Sequence, residues 1–277
     1  MSVKYFSMFS GIGGFERGLE QASETIGTNF ECVGYSEIDK HAIQTYERHY
    51  GHEPYGDATI INPATIPNFD LLVGGFPCQA FSIAGKRGGF EDTRGTLFFD
   101  IARILRHHRP ANFILENVKG LLSHDGGRTF DTIIATLTEL GYGVEWQVLN
   151  SKDFGPPQSR ERVYIVGHFA GQQRSAGEVF PFTGPGNPNT TVGKSTETAV
   201  ARTLTAGGNS GGNHSGMTII RTLKGDRRLT VTEWERLQGF PEGWTVGSDS
   251  QRYKQLGNAV TTNVVQGIAE RLYHHGA

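Results

Sequence analysis

Of the two cysteines in this chain, Cys78 is the one whose surroundings suit a nucleophile. It follows Gly74-Gly75-Phe76-Pro77 and precedes Gln79. The apolar run from Phe69 to Val73 reads as a buried strand cut off by the two glycines. That sets the thiol on a tight turn at a strand's carboxyl end, where open α/β sheets carry their chemistry. Pro77 fixes its own φ and holds Phe76 extended, so the backbone before the thiol is stiff. A free cysteine is more often a small buried hydrophobe. Here the polar stretch with Gln79, Ser82, Lys86 and Arg87 makes a poor core, and its two cations favour a thiolate. A carboxyl group ends the next buried strand, Asn112 to Leu115 running into Glu116-Asn117. Cys78 and Glu116 are therefore expected at one rim of a sheet, a nucleophile beside a potential proton donor.

The elements that position these groups alternate along most of the chain. Tyr5 to Phe9 alternates as a strand and ends in Ser10-Gly11-Ile12-Gly13-Gly14, after which Phe15, Leu19 and Ala22 have helical spacing. Backbone N–H groups at such a glycine turn can approach a nucleotide-type cofactor. Glu16 occupies the third glycine position of the dinucleotide fingerprint, which disfavours a pyrophosphate-binding dehydrogenase. A second strand, Glu31 to Ser36, is closed by Glu37 and Asp39, and an acidic residue there is suited to a ribose diol. Asp39 is also placed to cap the helix that follows, which makes Glu37 the better ribose ligand. Tyr55-Gly56-Asp57-Ala58 forms a third acidic turn.

Beyond Cys78 a basic loop, Ala84 to Phe90, leads to a helix starting at Asp92 or Thr93, with Leu97, Phe98, Ile101, Ile104 and Leu105 on one face and Arg103 and Arg106 on the other. A helix on Phe130, Ile133, Ile134 and Leu137 ends at Gly141 before the alternating strand Val144, Trp146, Val148, and a last strand spans Val163 to Val166. The rhythm stops over residues 169–220, which hold ten glycines and eight threonines. We read this as a loop-rich second domain with short strands at Val200 to Thr205 and Met217 to Leu223. Thr230 or Thr232 caps a short helix carrying Trp234 and Leu237, and Tyr253 to Leu256 turns at Gly257-Asn258 into a C-terminal helix.

Composition narrows the class. No apolar run is long enough to span a bilayer and no basic-then-apolar leader precedes the first strand, so a cytoplasmic or nucleoid-associated location is expected. Two cysteines exclude a disulfide framework and a Cys-rich zinc site, and Cys32, in Phe30-Glu31-Cys32-Val33, reads as core. His107-His108 and His274-His275 lack metal-ligand spacing, so no metal is expected. The net charge of −2 is unevenly divided: residues 1–70 carry ten acidic and four basic side chains, residues 71–277 carry 18 and 22. That asymmetry suits a cationic small molecule near the N-terminal part and a polyanion along the rest.

In this order the motifs resemble those of the cytosine-5 DNA methyltransferases, particularly the bacterial restriction-modification type, along nearly the whole chain. The resemblance rests on Phe9-Ser10-Gly11-Ile12-Gly13-Gly14, Gly74 to Gln79, Glu116-Asn117-Val118, Gln158-Ser159-Arg160-Glu161-Arg162, Arg236 to Pro241 and Gln255-Leu256-Gly257-Asn258. It implies a class I S-adenosylmethionine-dependent fold, Rossmann-like, with a seven-stranded, mostly parallel sheet. A catalytic and cofactor-binding domain would span 1–168 plus 252–277, and a small target-recognition domain 169–251.

The activity implied is transfer of a methyl group to C5 of a flipped-out cytosine in duplex DNA through a covalent Cys78 adduct. Glu116 would contact the base, and Arg160 and Arg162 would hold its carbonyl, Glu116 or a phosphate, unless they form a surface ion-pair cluster with Glu161. The S-adenosyl-L-methionine site would comprise Phe9, Ser10, Gly11, Ile12, Gly13, Gly14, Glu37, Ile38, Asp57, Ala58, Pro77, Leu97, Asn258 and Val260. Lys86, Arg87, Arg227 and Arg228 are expected to grip phosphates, and Arg202, Thr203 and Thr205 to read the target. The implied enzyme is a monomer acting apart from any cognate restriction endonuclease. A tRNA methyltransferase on the same fold and a catalytically silent DNA-binding regulator are the alternatives.

Overall fold

The computed structural model describes residues 2–77, 97–170, 179–182, 201–205, 219–222 and 225–274. Its main sheet takes β1 (Ser2–Met8), β2 (Asn29–Ser36), β3 (Leu71–Gly75), β4 (Asn112–Val118), β5 (Tyr142–Asn150) and β7 (Glu161–Phe169) in the order β2-β1-β3-β4-β7-β5. Pairings β1–β2, β1–β3 and β3–β4 are parallel, while β7 runs antiparallel to both β4 and β5. One reversed strand in an otherwise parallel sheet matches the expected class. The expected seventh strand is not among the described residues, which hold six in this sheet. The stretch flanking β2 contains Pro54, which has no N–H to give, and Gly56 at φ 76. It meets β2 through one backbone bond, Tyr55 N to Tyr35 O at 2.8 Å, and through Ser36 Oγ donating to the Gly56 carbonyl at 2.8 Å.

Alternation along the strands builds a core on each face. Phe6 and Met8, Leu72, Phe113 and Leu115, and Val163 and Ile165 face one way. They pack against Phe98, Ile101, Ile104 and Leu105 of α3 (Leu97–His108) and Ile133 and Leu137 of α4 (Arg128–Glu139). Val3 and Tyr5, Leu71 and Val73, Ile114, and Tyr164 and Val166 face the other way. There they meet Phe15 and Leu19 of α1 (Gly14–Ile26) and Val264, Val265 and Ile268 of α7 (Thr262–Tyr273). The two glycines ending β3 serve packing as well as the turn. A Cβ on Gly74 would stand 2.9 Å from the Met8 carbonyl oxygen, so β1 and β3 approach closely only because that position is bare.

A third cluster joins the C-terminal part to the N-terminal half: Trp234 and Leu237 of α5 (Val231–Leu237), Phe240, Trp244 and Leu256 pack with Ile12 and with Ala42 of α2 (Lys40–Tyr50). Trp244 Nε1 donates to the Ile12 carbonyl at 2.9 Å. Thr230 is the cap of α5, in a reciprocal capping box with Glu233. Tyr253 to Leu256 differs from expectation. It lies inside a helix, α6 (Asp249–Asn258), which Ser248 and Gln251 nucleate with a second capping box, and the turn into α7 comes after Asn258. Most of 169–220 lies outside the described residues. Its visible pieces are residues 179–182, β8 (Ala201–Arg202), paired in parallel with β6 (Gln158–Ser159), and the start of β9 (Ile219–Thr222), antiparallel to β10 (Gly225–Arg228). Among the described residues no helix is long and apolar enough to cross a membrane.

Candidate active site

The carboxyl ends of β1, β2, β3 and β4 open onto a cleft of about 460 Å³. Its first wall is the turn after β1. Phe9 is left-handed at φ 55, an uncommon state for a residue with a side chain, and Gly11 and Gly13 follow at φ 57 and 84. This backbone is held from outside. Ser10 N donates to Ser36 O at 3.1 Å, and Gly11 N donates to Glu37 Oε2 at 2.8 Å. Glu37 Oε1 accepts from the N–H groups of Ile38 and Asp39, both at 2.8 Å. Glu37 thus ties the glycine turn to the end of β2 and retains an open lone pair for a ligand hydroxyl. Asp39 caps α2, accepting from His41 N at 2.9 Å, and its other oxygen pairs with Lys254 Nζ at 2.7 Å. Asp39 is thus committed to the cap and to Lys254, whereas Glu37 is not.

Phe9, Gly11, Ile12, Glu37, Ile38, Asp57, Ala58, Pro77, Leu97 and Asn258 all line this one cleft. Ile38 is 72% exposed, an apolar side chain at the mouth of a cavity with nothing covering it. Asp57 is held by Thr59, whose N–H and hydroxyl both donate to Oδ1 at 2.9 Å. Ser10, Gly13, Gly14 and Val260 support the wall from behind. A Cβ on Gly14 would lie 2.8 Å from Val260 Cγ2, and one on Gly13 would strike the Tyr50 ring. A carboxylate with an open lone pair beside exposed apolar surface fits an adenosine-type cofactor with a cationic tail.

Glu116 projects from β4 into the same cleft, and a Cβ on Gly75 would touch its Oε2 at 3.3 Å. Arg162 Nε lies 3.0 Å from Glu116 Oε1. The pair forms because Val118 is opposite Arg162 and Glu116 opposite Tyr164, a diagonal contact on one face of the β4–β7 ladder. Burial raises the Glu116 pKa above the ordinary carboxyl value despite the opposing pull of Arg162 and Arg160.

Arg160 has a different position from Arg162. It is buried, with Nη1 donating to Leu204 O at 2.6 Å and Nη2 to Gly257 O and Ala259 O at 3.2 and 2.9 Å. Burial lowers its pKa to about 10, with Arg162 adding to the effect. Neither arginine pairs with the Glu161 carboxylate, which instead meets Lys119 Nζ at 3.0 Å.

Cys78, Lys86 and Arg87 lie outside the described residues. The chain enters that stretch under tight control. Asn117 Nδ2 donates to the Phe76 carbonyl at 2.8 Å, and Asn117 Oδ1 accepts from Val118 N. Sequence reading passed over Asn117, though a polar residue beside Glu116 at a strand end was the available signal. It also missed His41 and Lys254 as cleft residues. Cys32, the other thiol, is half-buried against Tyr46 and Gly34, and burial pushes its pKa up to about 11. It is an inert thiol, which concentrates the nucleophile question on Cys78.

The expected DNA contacts are dispersed. Arg202 and Thr205 are exposed, while Thr203 Oγ1 donates to Ser159 O at 2.6 Å and fastens β8 to β6. Arg227 is engaged by Glu233 through two bonds of 2.7 and 2.8 Å, and Arg228 is exposed beside it.

Comparison with known proteins agrees with this geometry. The model of the C-5 cytosine-specific DNA methylase family matches residues 3–198 and 185–274. The chain is 41% identical to the Type II methyltransferase M1.ScrFI of Lactococcus lactis subsp. cremoris, over 97% of this chain and 77% of that protein. It is 40% identical to M.NlaX of Neisseria lactamica, covering 97% and 96%, and 38% identical to M.HpaII of Haemophilus parainfluenzae, covering 97% and 88%. The fold is similar to that of the Dnmt2 methyltransferase from S. pombe, with a TM-score of 0.76 at 19% identity over 98% of both chains.

Proposed function

The chain belongs to the C-5 cytosine-specific DNA methylases and is a DNA cytosine-5 methyltransferase of the restriction-modification type, and we propose how its residues divide the work. Duplex DNA is the substrate and S-adenosyl-L-methionine the methyl donor. The protein acts in the cytoplasm as a monomer, apart from any cognate endonuclease. Residues 169–251 form the recognition domain, with the DNA-facing part ahead of Leu229, since the stretch from Leu229 to Trp244 packs on the first domain.

S-adenosylmethionine supplies an electrophilic methyl group on a sulfonium centre. Glu37 holds its ribose, Phe9 and Ile38 flank its adenine, Asp57 accepts from the adenine amine, and the Gly11 to Gly14 turn faces its methionine part. Cytosine C5 is a poor nucleophile, so Cys78 activates it. The thiolate adds to C6, and the electron pair of the C5–C6 double bond becomes available at C5 to accept the methyl group. Glu116, holding a proton, donates to N3 and accepts from the exocyclic amine, offsetting charge that develops as sulfur adds. Arg162 fixes the Glu116 carboxyl and is free at its outer face to meet the base carbonyl. Loss of the C5 proton to solvent water, elimination of sulfur from C6 and return of the N3 proton to Glu116 then restore the aromatic ring, the thiolate and the carboxyl. Because C6 is covered in a stacked duplex, the target base must leave the helix, at about a few kcal/mol.

One observation carries this reading: the buried Glu116 carboxyl, its pKa raised by burial, lies across Gly75, three residues before Cys78, in the cleft that also contains the Phe9 to Glu37 wall. The test is Cys78→Ser together with DNA carrying 5-fluorocytosine. Wild type is expected to form a covalent adduct, since fluorine cannot leave as the proton does, and the serine variant to bind cofactor and DNA without transfer. An active serine variant, or no adduct with wild type, rules out the covalent route.

A further inference from the structure

At the far end of α3 from the cleft there is a shallow cavity, wide open to solvent, lined by Pro63, Arg103, Arg106, His107 and Arg109. Leu97, the first residue of α3, lines the catalytic cleft. Twelve residues carry the helix roughly 18 Å back along the sheet at 1.5 Å per residue, to the rim where β4 begins. The cavity therefore opens away from the site of methyl transfer. From Ile101 to Ala111 the chain has three arginines, two histidines and no acidic residue.

Two features separate this patch from ordinary surface charge. The first is backbone conformation. Helices α1 and α2 end on left-handed glycines, Gly27 at φ 69 and Gly51 at φ 65, and α4 is followed by Gly141 at φ 93. Where α3 ends, the left-handed residue is Arg109, at φ 47. An arginine there accepts strain that glycine avoids, and strain of this kind collects at functional positions. The second is how the cations are held. Arg103 is fixed by the carbonyls of Ala58 and Ile61 and by Asp100, which offsets its charge. His108 turns inward, its Nε2 meeting the Pro63 carbonyl at 2.9 Å, and burial lowers its pKa. Arg109 makes no side-chain hydrogen bond or ion pair with any described residue. The negative end of the α3 dipole accounts for cations in the last turn, but not for arginine at the strained position.

We propose that this cavity binds phosphodiester groups of a second DNA segment, distinct from the one in the catalytic cleft. A patch of guanidinium groups suits phosphate oxygens, and DNA is the polyanion this enzyme meets. The occupant is another stretch of the same long molecule or a second duplex. Such a contact keeps the enzyme on long DNA between target sites. The proposal rests on the DNA-methyltransferase reading above.

The test compares wild type with Arg109→Gly and with His107→Gln/Arg109→Gly. Neither residue touches the cleft, and Arg103 is left alone because it anchors the loop carrying Ala58. Affinity and methyl transfer are measured separately on two duplexes carrying one identical site, of about 20 bp and about 1,000 bp, at low and moderate salt. Wild type is expected to favour the long duplex, and the double variant to lose about tenfold of that advantage, with a salt slope shallower by about 1 to 2. Transfer to the short duplex should stay within about twofold of wild type. Arg109→Gly relieves the left-handed strain, so its Tm should equal or exceed that of wild type, which separates lost binding from lost fold. An unchanged length advantage in both variants overturns the proposal. So does a result in which the variants lose only a Tm increase given by inorganic phosphate, which would make the site one for free phosphate. A wild type that binds both duplexes but transfers no methyl group counts against the enzymatic reading, and the affinity ratio still decides the cavity's role.

Discussion

Two buried carboxyl groups in this molecule have raised pKa values for different ends. Glu116 faces the cleft, where a proton on it would be of use to a substrate. Glu116→Gln is expected to lower the transfer rate by about 10²-fold or more while cofactor affinity stays within a few-fold. Calorimetry showing collapsed cofactor binding would instead move Glu116 to the other pocket.

Glu16, in the first turn of α1, is fully buried behind the glycine turn, and burial raises its pKa to about 7. Tyr46 donates to its Oε1 at 3.1 Å, a contact with Ser7 also favours the ionised form, and Glu20 opposes it. The folded protein holds this proton more tightly than the unfolded chain, whose ordinary value is 4.5. Its stabilising contribution is thus complete below pH 4.5 and is lost as pH rises through about 7. Glu16→Gln should therefore be increasingly more stable than wild type from pH 5 to 8, the gap widening by about 3 kcal/mol. Urea unfolding at several pH values gives the difference, and a gap that does not change with pH would refute the assignment.

At the scale of elements, the strands and their inward residues were legible because period-2 alternation and strand-ending glycines are local signals. So was the glycine turn, whose residues are consecutive. The role of Arg160 was not legible. Its partners, Leu204, Gly257 and Ala259, are 44 to 99 residues away, and spacing alone could not separate it from Arg162 two positions on. Gln158 extends the same junction, donating to the Leu237 carbonyl at 2.9 Å and accepting from Leu204 N at 3.1 Å. Gln238 continues it to Leu256 at 2.7 Å. This polar hub joins β6, the stretch after β8, α5 and α6. Arg160→Met should cost about 3 to 5 kcal/mol, because three carbonyls lose their donor in a buried site. Lysine should recover little, since one ammonium cannot span the same forked geometry. A methionine variant with wild-type stability in denaturant would reduce Arg160 to a bystander.

At the scale of the whole molecule, the proposed catalytic and recognition parts meet at the Gln158 to Arg162 stretch. Arg162 faces Glu116 in the cleft, while Ser159 and Arg160 hold the strand that returns from the recognition region. A change in how that region sits on DNA can thus reach the catalytic carboxyl through four residues of backbone. Recognition needs adaptable hydrogen bonds to base edges, whereas grip needs cations. The exposed side chains nearest the junction are Arg202 and Thr205, because Thr203 is already committed to Ser159. Arg202→Ala/Thr205→Ala is therefore expected to relax the target preference while transfer at the original site falls less than about tenfold. Thr203→Val should instead slow transfer at every site alike, by loosening β8 from β6. Arg227 is bound to Glu233 at the start of α5, so Arg227→Gln should lower Tm more than it lowers DNA affinity, whereas Arg228→Gln should weaken binding to all duplexes and flatten its salt dependence. Methylation of a mixed-sequence plasmid at two salt concentrations, read by bisulfite sequencing, separates the Arg202/Thr205, Thr203 and Arg228 outcomes, and thermal unfolding reads the Arg227 change. Unchanged site preference after the Arg202 and Thr205 changes would take target reading away from this strand and assign it to residues upstream of it.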